Sequence, residues 1–407
     1  MNVRKIISPF LIALVLVFVG CKKYAEQEAG VTVACYYFPN YHVDPRNEEI
    51  HGNGWSEWEL VKEARPRFKG HVQPKVPLWG YTDEAAPEAM AQKIDAAADY
   101  GVDTFIFDWY YYDGRPFLQR ALEQGFLRAP NRQRLKFALM WANHDWLDIQ
   151  PKSLHKKVRV LFPGVVTPEI FDNLTDYVIE HYFKQPNYWK IDGAPYFSIY
   201  EIQTLSKSFG DLDATAKALQ RFRDKTRAAG FPDLHLNAVI WGNPILPGET
   251  RVKNVSELID FLGFNSVTSY VWVHHVRLPQ FPQTPFDFVR QKYFEYARKA
   301  IRQFNVPYYP NVTMGWDPSP RCNQNDPFEP QGYPFMATIG GNTPQAFKEA
   351  LLEMKTFLQQ QPPADRIVTI NAWNEWTEGS YLEPDTVNGM KYLEAIKAVF
   401  GNDKEED

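Results

Sequence analysis

The sequence predicts a (β/α)8 barrel with long loops after the strands. Eight short runs of apolar, β-branched and aromatic residues recur along the chain, and most are continuously apolar, which is typical of parallel strands buried on both faces. The runs span residues 31–38, 104–109, 136–141, 195–200, 234–240, 261–267, 308–314 and 366–372. Strands that alternate with helices indicate a parallel sheet. An open doubly wound sheet is the alternative, but it would call for a glycine-rich phosphate loop after an early strand, and this sequence has none there.

Capping residues and amphipathic spacing predict helices between most of these runs. Thr167-Pro168 and Thr343-Pro344 each place an N-cap residue before a proline at the first helical position. The predicted helices span residues 86–100, 167–183, 213–229, 285–304, 343–361 and 390–400. Eight strand–helix units fit one barrel domain over residues 31–400.

Aromatic and polar residues collect at the C-terminal ends of nearly all the predicted strands. The second run ends in DWYYYD, the third in WANHDW and the eighth in WNEWTE. Active sites of barrels form at this end of the strands. Sugars present flat C–H faces ringed by hydroxyls, so a cleft lined by aromatic rings, carboxylates and amides suits a carbohydrate. The chain is 15% aromatic, which is compatible with such a cleft.

The segment NAWNEWTEGSYLEPD, residues 371–385, carries the predicted catalytic residues. Glycoside hydrolysis usually needs two carboxyl groups, and Glu375 and Glu378 are spaced to face one cavity. Trp373 and Trp376 flank them and are expected to desolvate one carboxyl, which raises its pKa towards that of a general acid. The alternative is a pair of surface glutamates at the start of a helix.

Four segments, taken in order, resemble one known family. NAWNEWTEGSYLEPD is similar to the signature of the glycoside hydrolase family 99 superfamily, above all of its WbsX-like branch. YYFP at 36–39 with Tyr41 and His42, GWSEW at 54–58 followed by ARPRFKGHVQP at 64–74, and WAN at 141–143 with Trp146 resemble the same branch. The resemblance spans residues 31–400.

The resemblance implies a (β/α)8 barrel and a metal-independent, retaining hydrolase of α-mannosidic linkages, without a cofactor. It implies that Glu375 is a base acting on the sugar's own 2-hydroxyl, which gives a 1,2-anhydro sugar, and that Glu378 is the general acid. Two departures bear on the substrate. WANHDW stands where the branch commonly has WANENW, and Asp108 stands where it usually has an aromatic residue. Asp108 is either a third carboxylate near the glycosidic bond or a partner of loop amides, and His144 either binds a sugar hydroxyl or packs.

We predict a wider set of substrate-binding residues at the cleft. They are Tyr37, Tyr41, His71, Asp108, Trp109, Tyr110, Trp141, Asn143, His144, Tyr270, Trp316, Asn374 and Trp376. For each aromatic residue, burial against neighbouring loops is the alternative. His71 and Glu57 belong either to the cleft or to the packing of the first loop. His274 and His275 suggest no metal site, because adjacent residues of a strand point to opposite faces, although a loop calcium site remains open.

The N-terminus predicts a bacterial lipoprotein. Arg4 and Lys5 precede an apolar stretch, residues 10–19, that is too short to span a membrane comfortably, and FVGC then places a small residue before Cys21. We expect residues 1–20 to be a signal peptide, Cys21 to be lipidated, residues 21–30 to tether the protein to a membrane of the cell envelope, and residues 401–407 to be a polar tail. An uncleaved anchor or an ordinary signal peptide is the alternative.

Charge and cysteine content narrow the remaining possibilities. With 44 Lys and Arg against 49 Asp and Glu, the chain has no field to attract nucleic acid, and we expect a monomer. Cys35 reads as a small core residue, with a Cys35–Cys322 bridge as the alternative.

Two other functions compete: a glycan-binding lipoprotein without catalysis, and a glycosyltransferase, the label attached to the WbsX-like branch. The motif Asp211-Leu212-Asp213 has the spelling of a transferase metal site but lies in a helix connection.

Overall fold

The computed structural model describes residues 30–401, which form the predicted barrel. The predicted signal peptide, Cys21, the tether up to residue 29 and the tail from residue 402 lie outside the described residues. The barrel strands are β1 (Thr32–Tyr37), β2 (Thr104–Tyr112), β3 (Lys136–Trp141), β4 (Ala194–Ile199), β5 (His235–Val239), β6 (Ser266–Thr268), β7 (Tyr308–Tyr309 and Asn311–Thr313) and β8 (Ile367–Asn371). They are parallel to their neighbours in the ring.

The ring closes through β7, which Pro310 divides into two segments. Tyr308–Tyr309 pairs with β6, whereas Asn311–Thr313 pairs with β8. Proline has no backbone N–H for the ladder, so an interruption at this residue is expected. Its carbonyl still accepts from the amide of Thr369 at 2.9 Å. Because β8 also pairs with β1, the sheet is a barrel and not an open doubly wound sheet.

Helices surround the barrel or lie in its loops. They are α1 (Pro45–His51), α2 (Trp58–Glu63), α3 (Pro87–Asp99), α4 (Pro168–Val178), α5 (Ile202–Phe209), α6 (Leu212–Ala228), α7 (Val255–Leu262), α8 (Phe286–Gln303), α9 (Pro344–Gln359) and α10 (Lys391–Phe400). The six predicted helices are all present. Both predicted N-caps form, because the hydroxyls of Thr167 and Thr343 accept from backbone amides at 3.2 Å.

The prediction for the sixth run was wrong at its start. Residues 261–267 were expected to be a strand, but α7 occupies residues up to Leu262, and β6 begins only at Ser266. Ile259 and Leu262 are buried one turn apart, and Gly263 ends the helix in the left-handed region at φ 71°. A short apolar run does not distinguish a buried helix end from a strand.

The alternation of side chains along β2 decides which residues reach the barrel interior. Asp108 and Tyr110 share one face of the strand. Trp109 lies on the other face, where its indole packs edge-on against Tyr182 and donates to the Tyr182 hydroxyl at 3.2 Å. Cys35 and Cys322 are both buried and are not bridged to each other. Within residues 30–401, no helix is long and apolar enough to cross a membrane.

Candidate active site

A cavity lies at the C-terminal ends of the barrel strands. Its volume is about 710 Å³, including the part open to solvent. Carboxyl groups and aromatic rings make up much of the wall, namely those of Asp108, Tyr110, Tyr200, Tyr270, Trp316, Tyr333, Glu375 and Glu378. Acidic and aromatic residues therefore meet at the end of the barrel where the sequence places the cleft.

A tight turn after β8 brings Glu375 and Glu378 to this cavity. Asn374–Glu375 forms a two-residue strand that pairs with Ser380–Tyr381, and Trp376–Glu378 forms a 3-10 turn between them. The turn ends at Gly379, whose φ of 62° favours glycine. A Cβ on Gly379 would lie 2.6 Å from the Cβ of Asp317, so only glycine lets the two loops approach this closely.

Arg321 joins the two glutamates. Its Nη2 lies 3.0 Å from Oε1 of Glu375, and its Nη1 lies 2.5 Å from Oε1 of Glu378. Its Nε donates to Oε1 of Glu57 at 2.8 Å. Arginine can address several carboxylates at once because its donors form a rigid planar fork. The two glutamates are thus held by one buried cation rather than exposed on a helix.

The remaining partners of the two glutamates differ. Oε2 of Glu375 accepts from the Tyr270 hydroxyl at 2.9 Å, so both of its oxygens face donors. Oε1 of Glu378 accepts from the Tyr333 hydroxyl at 2.6 Å in addition to Arg321. Its Oε2 has no hydrogen-bond partner within residues 30–401. Donors on both oxygens favour the ionised form, whereas a cavity-facing oxygen without a protein partner can carry a proton for a leaving group.

Burial dominates the protonation of the acidic residues. It raises the pKa values of Glu375, Glu378 and Asp108, and repulsion from Glu378 raises that of Glu375 further. The Arg321 guanidinium acts in the opposite direction on all three. Burial also lowers the pKa values of His144 and His274, the latter to about 3. Both imidazoles are therefore neutral near pH 7, and the site combines excess carboxyl groups with one guanidinium.

A second buried ion network supports the turn that carries Glu375 and Glu378. Nζ of Lys93 lies 2.9 Å from Oε1 of Glu84 and 2.6 Å from Oε1 of Glu383. The amide of Asn374 donates to Oε1 of Glu84 at 2.7 Å, and the indole of Trp376 donates to Oε2 of Glu383 at 2.7 Å. This network fixes the backbone on either side of Glu375.

Five of the predicted binding residues line the cavity together with the glutamates. They are Asp108, Tyr110, His144, Tyr270 and Trp316. Asp108 is a third carboxylate of the site and not a partner of loop amides, because its Oδ2 accepts from Tyr270 at 2.8 Å. Nδ1 of His144 lies 2.9 Å from the carbonyl of Asp145, and its ring meets Tyr110 edge-on.

The other predicted binding residues do not line this cavity. Tyr37 donates to Glu84 at 2.8 Å, and Asn374 and Trp376 belong to the supporting network described above. Tyr41 packs on Trp58 with ring centroids 4.3 Å apart. Trp109 and Trp141 face the helix layer, where Trp141 packs against Phe171, and Asn143 donates to the carbonyl of Glu201. These side chains support the strand ends that carry the cavity wall.

His71 occupies a neighbouring cavity. Its Nε2 lies 2.7 Å from Oδ2 of Asp317, and its ring stacks on Phe68 with centroids 4.4 Å apart. Glu57 is a partner of Arg321, and its Oε2 accepts from Asn40 at 2.6 Å. His274 lines the main cavity, whereas His275 stacks on Tyr296. Among residues 30–401, no cluster of His, Cys, Asp and Glu is suited to a metal ion.

Sequence reasoning missed Arg321 and Tyr333. Both lie in the loop after β7, which has no recognisable motif. One signal was available: two nearby carboxyls need a cation, and Arg321 lies four residues beyond the strand-end segment MGWD at 314–317. Tyr200 is the last residue of the predicted run 195–200, and its hydroxyl donates to Oε1 of Glu249 at 2.9 Å.

The fold is a (β/α)8 barrel, and two solved structures share it. One is a glycoside hydrolase family 99 endo-α-mannosidase from Bacteroides thetaiotaomicron, 12% identical, with a TM-score of 0.54 over 91% of this chain and 97% of that chain. The other is described as a glycoside hydrolase-like protein, 15% identical, with a TM-score of 0.56 over 96% of this chain and 98% of that chain. At these identities, the likeness shows the fold alone.

The chain belongs to the family described as Glycosyltransferase WbsX, whose match covers residues 33–396. The sequence resemblance to the WbsX-like branch is thereby confirmed. The uncharacterized protein WxcX of Xanthomonas campestris pv. campestris, strain B100, is 27% identical over 370 residues, which is 90% of this chain and 49% of that protein. WxcX of a second strain matches to the same extent. The chain spans about half the length of these curated relatives.

Proposed function

We propose that the protein is a glycoside hydrolase that cleaves a glycosidic bond in an oligosaccharide or polysaccharide, with Glu375 and Glu378 as its catalytic carboxyls. The observation that carries the proposal is their joint attachment to the two terminal nitrogens of Arg321 at one cavity wall. Two buried carboxyl groups in one cavity, with different hydrogen-bond surroundings, supply an acid and a base.

The hydrogen bonds support distinct roles for the two glutamates. Glu375 has donors on both oxygens and is the base, whereas Glu378 has an oxygen without a protein partner and is the acid. In the proposed reaction, Glu378 protonates the leaving glycosidic oxygen as its bond to C1 breaks. Glu375 takes the proton of the sugar's 2-hydroxyl, and that oxygen bonds to C1 to give a 1,2-anhydro sugar. Glu378, now ionised, then takes a proton from water, which opens the anhydro ring at C1 while Glu375 returns its proton to the 2-oxygen.

This route requires an α-mannoside-like substrate, because the 2-hydroxyl must be axial to attack C1 from the face opposite the leaving group. The rings of Tyr110, Tyr200 and Trp316 provide apolar surfaces for the C–H faces of such a sugar. A glycan-binding protein without catalysis is the alternative, and it would have no need for the acid–base pair.

The family description favours a glycosyltransferase as the second candidate function. A nucleotide-sugar donor carries a diphosphate, which needs cations or a loop of backbone amides. Within the described part of the chain, Arg321 is the one Lys or Arg side chain on the cavity wall, and four of its five N–H groups are directed to Glu57, Tyr333, Glu375 and Glu378. The charge of the cavity therefore favours a neutral glycan.

The test is hydrolysis of a panel of α-mannans, N-glycans and plant and algal polysaccharides, measured as release of reducing ends. Glu375→Gln and Glu378→Gln are each expected to lower kcat by about 10²–10⁴-fold, the usual contribution of general acid–base catalysis. Glu63→Gln, at an exposed position of α2, is the matched control. Full activity in both active-site variants would refute the assignment. Binding without turnover in the wild type would identify the non-catalytic alternative, and sugar transfer from a nucleotide donor would identify the transferase.

We also propose, from the sequence alone, that the mature protein is anchored to the cell envelope through lipid on Cys21. Metabolic labelling with radioactive palmitate, followed by detergent phase partition, tests this. Cys21→Ser is expected to abolish labelling and to move the protein to the aqueous phase. Labelling that persists in this variant would exclude Cys21 as the site.

A further inference from the structure

The hydroxyl of Tyr270 lies between two carboxyl groups. It is 2.8 Å from Oδ2 of Asp108 and 2.9 Å from Oε2 of Glu375. A tyrosine hydroxyl has one proton and can donate one strong hydrogen bond. Burial and the two carboxyls raise the pKa of Tyr270 well above its usual value, so the hydroxyl keeps that proton. If both carboxyls were ionised, one would face the lone pairs of the phenol oxygen at hydrogen-bond distance, which is repulsive.

The trio of Asp108, Tyr270 and Glu375 therefore needs one proton in addition to the proton of the Tyr270 hydroxyl. We propose that Asp108 is a positioning residue that carries this proton at neutral pH and donates it to the Tyr270 oxygen, so that the Tyr270 hydroxyl donates to an ionised Glu375. The order of donation is then Asp108 Oδ2–H to Tyr270, and Tyr270 O–H to Glu375 Oε2. This order of donation keeps the base Glu375 ionised and oriented, a role that rests on the proposed function.

Contacts with Arg321 decide which of the two carboxyls holds the proton. Oε1 of Glu375 lies 3.0 Å from Nη2 of Arg321, whereas Asp108 has no ion pair among the described residues. An opposite charge in direct contact stabilises the ionised form of a carboxyl. Glu375 is consequently the anion of the pair and Asp108 the neutral acid.

The second oxygen of Asp108 supports the same assignment. Oδ1 is buried and has no hydrogen-bond partner within residues 30–401. A buried carboxylate oxygen without a donor is much more costly than a bare carbonyl oxygen, because the ionised group loses far more hydration free energy. In the protonated form, Oδ1 is a carbonyl oxygen, whose burial without a donor costs much less than that of a carboxylate oxygen.

The other titratable groups around the trio do not supply the missing proton. The tyrosines that face it have pKa values raised by burial and stay neutral, and they are Tyr36, Tyr41, Tyr110, Tyr200 and Tyr333. The nearby histidines, His144 and His274, are neutral because burial lowers their pKa values. The remaining ionisable neighbours are Glu57, Glu378 and Arg321, so within the described residues a single cation faces four carboxyl groups when Asp108 and Glu375 are included.

Infrared spectroscopy of the wild-type protein at pH 7 tests the proton without any substrate. A protonated carboxylic acid has a C=O stretching band that a carboxylate lacks. We expect Asp108→Asn to remove one such band, and Glu375→Gln to remove none. Loss of the band in Glu375→Gln, with its retention in Asp108→Asn, would overturn the assignment, as would a wild-type spectrum without a band that depends on Asp108.

The pH dependence of kcat/KM supplies the second readout. An asparagine at position 108 has no charge but can donate to the Tyr270 oxygen, like a protonated Asp108. Asp108→Asn is therefore expected to leave the acidic limb, which reports protonation of Glu375, within about 0.3 pH units of the wild type, a change worth about 0.4 kcal/mol. Tyr270→Phe removes the donor to Glu375 and is expected to move this limb to higher pH.

A shift of the acidic limb to lower pH by about one unit or more in Asp108→Asn would show that Asp108 is an anion in the wild type and would refute the proposal. Circular dichroism confirms that each variant is folded. Failure of the proposed function can be distinguished from failure of this inference. A protein that shows the infrared band of Asp108 but hydrolyses no glycan would establish the protonation of Asp108 and refute the hydrolase assignment.

Discussion

Replacement of Arg321 by methionine tests the charge balance of the cavity. The change leaves Glu57, Glu375 and Glu378 without the cation that contacts all three at 2.5–3.0 Å. Removal of one partner from a buried ion pair destabilises a protein by about 3–5 kcal/mol, because the remaining charge is buried without compensation. We expect Arg321→Met to lower the free energy of unfolding by this amount at pH 7.

The loss depends on pH with a defined sign. Without Arg321, the pKa values of Glu375 and Glu378, already raised by burial, rise further in the folded state. A carboxyl with a raised folded pKa stabilises the fold fully below its unfolded pKa, and this contribution is lost as pH rises through the folded pKa. If the folded variant binds one proton more than the folded wild type, the difference in free energy of unfolding between the two proteins grows by about 1.4 kcal/mol for each unit by which the pH rises. Much of the loss at pH 7 should therefore disappear at pH 5.

Urea unfolding followed by tryptophan fluorescence at pH 5, 6 and 7 measures this effect. The matched control is Arg159→Met, which removes a pair with Asp148 whose arginine side chain is 70% exposed. An exposed pair contributes about 0–1 kcal/mol, with little dependence on pH over this range. A loss in Arg321→Met that equals the control, or one that is the same at all three pH values, would refute the reasoning.

Three further changes have defined outcomes. Gly379→Ala should lower the free energy of unfolding in urea by at least about 1–3 kcal/mol and lower kcat, because its Cβ would meet Asp317. The control Gly389→Ala also has a positive φ but has free space around its Cβ, so it should show only the smaller cost of the strained backbone. Equal effects of the two changes would argue against the close approach of Gly379 to Asp317. Lys93→Met should cost about 3–5 kcal/mol because it leaves two buried glutamates without their cation, and a loss below about 1 kcal/mol would contradict this. Burial raises the pKa of Glu249 to about 7 from 4.5, so wild-type stability falls relative to Glu249→Gln as pH rises from 4.5 through 7; parallel pH profiles would show that this carboxyl is not perturbed.

Much of the fold was predictable because its determinants are local in sequence. Buried parallel strands are continuously apolar, and the N-caps Thr167 and Thr343 precede prolines, so strand number and most helices follow from short windows. The end of α7 was not predictable, since Ile259 and Leu262 suit either a buried helix or a strand, and the packing of the barrel decides between them.

The residues predicted for the cavity show the same division. Glu375 and Glu378 were identified from one segment, and Asp108 and Tyr110 from their strand end. Trp109 and Trp141 also lie in strand-end segments that are rich in aromatic and polar residues, yet their side chains face the helices. The composition of a strand end predicts that a cavity is near, but the phase of the pleat decides which alternate residues reach it.

The sequence by itself determined the barrel and the pair of carboxyls at the end of its eighth strand, because both depend on residues close together in the chain. Only the tertiary structure decided how that pair is charged. Arg321 and Tyr270 lie 54 and 105 residues from Glu375, and Asp108 reaches the trio from the second strand. Electrostatic energies depend on distances in space and on burial, so the protonation of this site is a property of the closed barrel and not of any one segment.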